Sequence, residues 1–174
     1  MEKEILFSSE VIRKRVKELA ARITADYQDK EPLLIGVLNG AVIFVSDLVR
    51  EIRIPTKLDF IRAASYGSGM SSSGTVRVTK DVEKTIENRA VLLVEDIVDS
   101  GLTLDWIIRH LEKKGPESLR VCALIDKLER RERTTHIDYC GFRVEEGFLV
   151  GYGLDFDEKY RYLPDICRLK ALEE

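Results

Sequence analysis

The stretch Leu92–Leu104, LLVEDIVDSGLTL, combines an apolar run, three carboxylates and the opening of a helix. Its first part continues Val91–Val94, a short apolar run typical of a buried strand. We expect the polar segment Glu95–Gly101 to be a loop. Thr103–Lys114 has helical spacing, and the Gly-Pro pair that follows it predicts a helix end. A strand that leads through a polar turn into a helix is the unit of a parallel sheet covered by helices.

The polar turn of this stretch has the chemistry of a phosphate site beside an acidic one. N–H groups at a helix start lack partners and carry partial positive charge. Gly101 lets the backbone approach a ligand closely, and Ser100 and Thr103 can add hydroxyl donors. No Lys or Arg lies in the turn, so main-chain N–H groups would hold an anion. Glu95 and Asp96 would repel a bare anion, which favours a sugar phosphate whose hydroxyls, or Mg²⁺, face the acids.

Strand and helix patterns alternate on both sides of this stretch. Ser8 or Ser9 can cap a first helix. Its apolar residues recur at helical spacing: Val11, Ile12, Val16, Leu19, Ala20, Ile23 and Tyr27. Further strand-like segments are Leu33–Leu38, Leu58–Ala64, Thr75–Lys80, Leu119–Ile125, Tyr139–Val144 and Phe148–Tyr152. We expect one α/β domain over residues 1–174, with a mostly parallel twisted sheet flanked by helices.

Composition narrows the class of protein. The formal net charge is −3, with 28 basic and 31 acidic residues, so the whole surface does not mark a nucleic-acid binder. Three scattered cysteines do not form a disulfide framework and are typical of reduced thiols in a cytoplasmic protein. The N-terminal segment has no apolar core of a signal peptide, and no apolar run is long enough to span a membrane.

The run Val94–Thr103, VEDIVDSGLT, resembles the phosphoribosyl diphosphate signature of the type I phosphoribosyltransferases, in the form of the hypoxanthine-guanine branch. The resemblance implies that family's fold, with a small hood region beside the sheet. It also implies that Glu95 and Asp96 face the ribose hydroxyls and Mg²⁺. The residues that would hold the 5′-phosphate are Asp99, Ser100, Gly101, Leu102 and Thr103.

Other segments match the family in order. Leu38, Asn39 and Gly40 stand where the family grips the diphosphate, often with a non-proline cis peptide. Many members carry Lys where this chain has Asn39, so we expect backbone N–H groups to bind the diphosphate. Arg161 matches a diphosphate-contacting arginine.

A mobile catalytic loop is also implied. Ser65, Tyr66 and Gly67 resemble its start, and the Ser/Gly-rich residues that follow suit a segment that opens and closes over the reacting centre.

The resemblance assigns the purine base to a second group of residues. Lys127 would donate to the 6-oxo group and favour hypoxanthine and guanine over adenine. Phe148 would stack on the base, and the main chain near Leu149 would bind its edge. Asp155 would lie near the base or a second Mg²⁺, so the implied metal ligands are Glu95, Asp96 and Asp155.

The activity implied is purine salvage: transfer of the 5-phosphoribosyl group from phosphoribosyl diphosphate to hypoxanthine, guanine or both, giving IMP or GMP. Mg²⁺ is the expected cofactor, and Asp99 the expected acceptor of the purine N7 proton. The resemblance implies a homodimer or homotetramer, without nucleic-acid or membrane partners.

Two alternatives stay open at this point. The same loop would serve a phosphoribosyltransferase for another base, such as xanthine. The basic cluster Lys127–Arg133, KLERRER, would suit an RNA-binding regulator built on this fold. A Rossmann dinucleotide enzyme is not indicated, because no GxGxxG motif follows an early strand.

Overall fold

The computed structural model describes residues 2–66 and 75–170. Their elements, in chain order, are β1 (Glu2–Phe7), α1 (Ser9–Asp26), β2 (Leu33–Val37), α2 (Val42–Glu51), β3 (Lys57–Tyr66), β4 (Thr75–Lys80), β5 (Ala90–Val98), α3 (Leu102–Glu112), β6 (Ser118–Lys127), β7 (Tyr139–Val144), β8 (Phe148–Val150) and β9 (Ile166–Lys170).

Six strands form the main sheet, in the order β4-β3-β2-β5-β6-β7. All neighbours in it run parallel except the edge strand β4, which pairs antiparallel with β3. One hydrophobic cluster packs α1 and α2 against one face, and a second packs α3 against the other. The predicted parallel sheet flanked by helices is therefore confirmed.

A separate antiparallel sheet, β1-β9-β8, forms the hood. It joins the two ends of the described chain, because β1 pairs with β9 along its length. The sequence patterns predicted neither β1 nor β9. Most of β1 is exposed, so EKEILF lacks the apolar face that marks a strand, and its pairing is visible only in three dimensions.

Local predictions held at the first helix with one exception. Ser8 caps α1, its Oγ accepting from the N–H of Val11 at 3.3 Å. The apolar positions face the core, except that Val11 is 47% exposed. Including Val11 in the buried face was therefore wrong, since it lies in the first turn beside the cap.

The largest correction concerns the segment after Val94. We expected Glu95–Gly101 to be a loop, but β5 continues through Glu95 and Asp96 to Val98. The reason is tertiary: this part of β5 pairs with β6, with Val98 opposite Asp126. Strand β8 is shorter than expected and ends at Val150, before Gly151 at φ 95°.

Part of the predicted mobile loop lies outside the described residues. Ser65 and Tyr66 end β3, whereas Gly67 and the Ser/Gly-rich residues after it belong to the undescribed range 67–74. In the described ranges, no helix combines the length and apolar character needed to cross a bilayer.

Candidate active site

Three chain segments meet at the carboxyl edge of the main sheet. Leu38–Gly40 follows β2, Glu95–Val98 ends β5, and Lys127 ends β6. These strands are neighbours or next neighbours in one parallel sheet, so their ends lie at the same edge, where ligands bind in such folds.

The turn after β2 packs directly on an acid of β5. The Leu38–Asn39 peptide is cis, which the sequence alone left undecided. A Cβ atom at Gly40 would lie 1.8 Å from Asp96 Oδ2, so only glycine allows this approach. A Cβ atom at Gly153 would lie 2.3 Å from the carbonyl oxygen of Gly40. The backbone of Gly40 is thus packed between the Asp96 carboxylate and the backbone of Gly153.

Arg161 contacts the segment that contains Gly153 and Asp155. Its Nη1 donates to the carbonyl oxygen of Gly153 at 2.7 Å, and its Nη2 lies 3.0 Å from Asp155 Oδ1. The charge of Arg161 also acts on Asp96. The predicted diphosphate residues therefore lie beside one another and beside the acids.

Glu95 and Asp96 are buried acids without a cationic partner. Only 7% of Glu95 and 8% of Asp96 is exposed, and neither forms an ion pair with a basic side chain in the described part of the chain. Burial, together with the neighbouring Asp96 charge, raises the pKa of Glu95 well above its usual range. Burial also raises the pKa of Asp96, although hydrogen bonds and Arg161 oppose the rise.

These two carboxylates fit Mg²⁺ as adjacent oxygen donors that form no ion pair with a basic side chain in the described part of the chain. Over residues 2–66 and 75–170, no three His, Cys, Asp or Glu side chains form a ready-made metal cluster. Magnesium sites in proteins often use one or two carboxylates, with water and substrate oxygens as the other ligands. The predicted third ligand, Asp155, is instead engaged by Arg161 and by the N–H of Glu158 at 2.9 Å.

The phosphate turn has the shape the sequence suggested. Gly101 adopts φ 81° at the start of α3, and a Cβ atom there would lie 2.2 Å from the carbonyl oxygen of Arg133. Ser100 Oγ accepts from the N–H of Leu102 at 3.3 Å. The carbonyl oxygen of Ser100 accepts from the N–H groups of Glu132 and Arg133, at 2.9 and 3.0 Å. This carbonyl is therefore satisfied by protein. Backbone N–H groups at a helix start such as that of α3 are donors of the kind that can bind an anion.

Sequence analysis missed the brace behind this turn, which is Arg131. Its Nε donates to the carbonyl oxygen of Asp99 at 3.0 Å, and its Nη2 to those of Val98 and Lys127 at 3.0 and 2.9 Å. Nη2 also contacts Asp126 Oδ1 at 2.5 Å. In the sequence, Arg131 is marked by the basic run KLERRER, which is also compatible with an RNA-binding groove. Its Arg131 side chain is 15% exposed and fully engaged, which speaks against that use.

The predicted purine residues surround a cavity of about 190 Å³ next to Asp96 and Asp99. Lys127 is 3% exposed, and its Nζ lies 3.6 Å from Asp99 Oδ1 and 3.2 Å from Glu129 Oε2. Phe148 is 43% exposed and meets Phe156 edge-on at 5.3 Å between ring centroids. The cavity is lined by Asp96, Ile97, Asp99, Lys127, Arg130, Phe148, Leu149, Leu154 and Asp155. A buried cation, an exposed ring and a carboxylate therefore face one small space.

Comparisons with known proteins agree on one family. Residues 3–157 match the family model of the phosphoribosyl transferase domain. The hypoxanthine-guanine phosphoribosyltransferase of Mycobacterium avium is 49% identical over 173 residues, which cover 96% of this chain and 85% of that protein. The hypoxanthine phosphoribosyltransferase of Salmonella typhimurium is 40% identical, with 98% and 97% covered. A crystal structure of a hypoxanthine-guanine phosphoribosyltransferase from Bacillus anthracis matches with a TM-score of 0.91 at 41% identity, covering 96% of this chain and 98% of that one. This chain belongs to the hypoxanthine-guanine phosphoribosyltransferases, a family of transferases within the type I phosphoribosyltransferases.

Proposed function

We propose that this chain transfers the 5-phosphoribosyl group from phosphoribosyl diphosphate to hypoxanthine and guanine, releasing diphosphate. One observation carries the proposal above the others. The buried acids Glu95 and Asp96 lie on the strand that leads to the helix start at Gly101, and Asp96 also lines the cavity that contains the buried cation Lys127. A ribose phosphate with free hydroxyls and an adjoining 6-oxopurine has groups that match these three features.

The ribose phosphate would lie across the end of β5. Its 5′-phosphate would accept from N–H groups of the turn Asp99–Thr103, where the α3 dipole favours an anion. Its 2′- and 3′-hydroxyls would donate to Glu95 and Asp96, which have few other partners. The diphosphate would lie against Leu38–Gly40 and Arg161, where a guanidinium and backbone N–H groups can hold the departing charge.

Mg²⁺ would be held by Glu95 and Asp96, and Asp155 lines the same cavity as Asp96. When bound, it supplies positive charge that offsets the diphosphate and the two buried acids. The raised pKa values of both acids support this assignment, because neither acid forms an ion pair in the described part of the chain and a bound cation would offset their charge.

The base would enter the cavity with its 6-oxo group toward Lys127. A buried ammonium group can only donate hydrogen bonds. It therefore favours hypoxanthine and guanine, whose 6-oxo group accepts, over adenine, whose 6-amino group also donates. Phe148 has an exposed face on which the purine can stack, and Leu149 lines the cavity edge. Xanthine also carries a 6-oxo group, so its use depends on contacts at the 2-position.

Chemistry would follow from this placement. The bond between ribose C1 and the diphosphate breaks, purine N9 bonds to C1, and the N7 proton moves to Asp99. Asp99 lines the cavity and also begins the phosphate turn, so one segment positions both reactants.

Further parts of the proposal rest on the family. We propose that residues 1–174 act as one domain, supported by the hood sheet that ties β1 to β9. We also carry over from the family a homodimer or homotetramer and a cytoplasmic location. The family likewise implies a catalytic loop that starts at Ser65, Tyr66 and Gly67. A size-exclusion measurement with light scattering would test the assembly.

The decisive experiment is a panel of bases, with phosphoribosyl diphosphate and Mg²⁺. Hypoxanthine and guanine should give nucleotide, whereas adenine and uracil should not. In Lys127→Ala the preference for hypoxanthine over adenine should fall at least about tenfold, since the buried donor is lost. Lys30→Ala, which removes an exposed lysine paired with Glu117, is the control. Nucleotide formation from uracil alone, or an unchanged preference in Lys127→Ala, would refute the assignment.

A further inference from the structure

The two oxygens of the Asp99 carboxylate have different surroundings. Oδ2 accepts a hydrogen bond from Arg130 Nη2 at 2.5 Å. Oδ1 is buried and has no hydrogen-bond partner among the residues that the structure describes. Lys127 Nζ lies 3.6 Å from Oδ1, beyond hydrogen-bond distance. One oxygen is therefore held by Arg130, and the other has no hydrogen-bond partner among the described residues, while the Asp99 residue lines the cavity.

Glu129 and Arg130, neighbours in one turn, contact Lys127 and Asp99 respectively. Arg130 takes the carboxylate of Asp99, and Glu129 Oε2 lies 3.2 Å from Lys127 Nζ. Glu129 is itself fixed, since it accepts from the N–H of Gly147 at 3.1 Å. Charges thus alternate in sign along four side chains, with the two proposed site residues in the middle.

The position of this turn is well defined. Arg131, the next residue, is bound to three carbonyl oxygens and to Asp126. Arg130 therefore reaches Asp99 from an anchored backbone, although its own side chain is 65% exposed. It also lines the cavity proposed for the purine.

We propose that Arg130 is a positioning residue for phosphoribosyl transfer, which holds Asp99 by Oδ2 so that Oδ1 stays free to accept the purine N7 proton. This inference rests on the proposed function. Without Arg130, the carboxylate can turn and pair closely with Lys127, because the two groups already lie 3.6 Å apart. That pairing would withdraw both the proton acceptor and the 6-oxo donor from the base.

The proton balance is simple. As the C1–N9 bond forms, the purine N7–H bond breaks and its proton goes to Asp99 Oδ1. Arg130 keeps all its protons and its charge throughout, so it acts only through Asp99.

The first test is the kinetics of Arg130→Gln. We expect kcat to fall about tenfold, the scale of a misplaced catalytic group, while KM for phosphoribosyl diphosphate stays within about twofold. Arg130→Lys keeps a single charged donor and should retain kcat to within about threefold, since the contact uses one nitrogen only. Because Arg130 is exposed, neither change should alter the thermal midpoint.

Arg109→Gln is a matched control. Arg109 pairs with Asp105 at 3.1 Å, and its side chain is also 65% exposed, but it lies on α3 outside the cavity. Its loss should leave kcat unchanged. An equal fall in Arg109→Gln and Arg130→Gln would overturn the proposal.

The second test combines both residues. Asp99→Asn alone should lower kcat by about 10²-fold, and adding Arg130→Gln should lower it less than about twofold further. A further tenfold loss in the double variant, or full turnover in Arg130→Gln while Asp99→Asn is slow, would overturn the role of Arg130 and leave the proposed function intact. Full turnover in Asp99→Asn would instead remove Asp99, and Arg130 with it, from the mechanism.

Discussion

Asp59 on β3 and the pair Glu95–Asp96 on β5 are buried carboxylates of the same sheet, with 6%, 7% and 8% of their surfaces exposed. Their surroundings differ. Asp59 Oδ1 accepts from the N–H of Phe60 at 2.7 Å, and Oδ2 accepts from the N–H groups of Glu83 and Lys84, both at 2.8 Å. Glu95 and Asp96 accept little beyond the N–H of the next residue along the strand.

The pKa values follow this difference. Burial alone would raise the pKa of Asp59, but hydrogen bonds from Lys84, Phe60 and Glu83, with the charge of Lys80, hold it below its usual range. At Glu95, burial and the adjacent acid act in the same direction, and its pKa lies well above the usual range.

Asp59 therefore has the surroundings of a structural acid, whereas Glu95 and Asp96 have those expected of acids that bind a ligand. A buried charge whose oxygens are all satisfied by the protein stabilises the fold. A buried charge without partners costs stability and persists where a ligand completes it. Low solvent exposure alone therefore does not mark a candidate site, and we use the scarcity of protein partners as the second criterion.

The largest expected effect is on activity. Asp96→Asn should lower kcat/KM for phosphoribosyl diphosphate by about 10²-fold, because a charged contact to the reacting centre is lost without a change of shape. Asp59→Asn should stay within about threefold of the parent, since it lies away from the cavity. Steady-state kinetics at saturating base measures both. Comparable losses in the two variants would break the distinction.

The next effect is on stability, where we expect the change at Asp59 to matter more than a change at Glu95 or Asp96. Asp59→Asn should lower the free energy of unfolding by about 2 kcal/mol at neutral pH, because its amide would face two N–H donors. Urea denaturation measures this difference.

The same variant tests the pH dependence. The folded-state pKa of Asp59 is lowered, so its contribution is present above the unfolded value of about 4 and is lost as the pH falls through the folded value. The gap between parent and variant should therefore narrow in acid. A gap that is constant with pH would show that the Asp59 charge is not its cause.

The smallest effect sharpens the contrast. Glu95→Gln, in the presence of EDTA, should keep or raise the free energy of unfolding, by up to about 1 kcal/mol, because an unpartnered buried charge is removed. Added Mg²⁺ and phosphoribosyl diphosphate should then stabilise the parent more than the variant. A destabilisation as large as that of Asp59→Asn would mean that Glu95 is structural.

Much of the fold followed from local patterns. Leu33–Val37 is apolar on both faces, which marks a strand buried in a parallel sheet, and the α1 cap at Ser8 follows from its hydroxyl. Predictions failed where distant chain segments decide the structure. EKEILF forms β1 only because β9 lies beside it, and Glu95–Val98 stays in a strand only because β6 pairs with it.

The candidate site divides in the same way. The turn Asp99–Thr103 could be predicted, because helix starts and glycine turns are local and show in the order of residues. The role of Arg131 was not recognised, since its partners Val98 and Asp99 lie far along the chain.

By itself, then, the sequence determined a strand, two adjacent acids and a helix that starts after a glycine turn, because backbone propensity and side-chain chemistry act over a few residues. Only the tertiary structure decided that Gly40 closes on Asp96, that Arg131 braces the turn, and that Arg130 and Lys127 divide the surroundings of Asp99. Those contacts join ends of parallel strands that are distant along the chain. The physical reason is that the sheet sets which strand ends become neighbours, and no local pattern contains that choice.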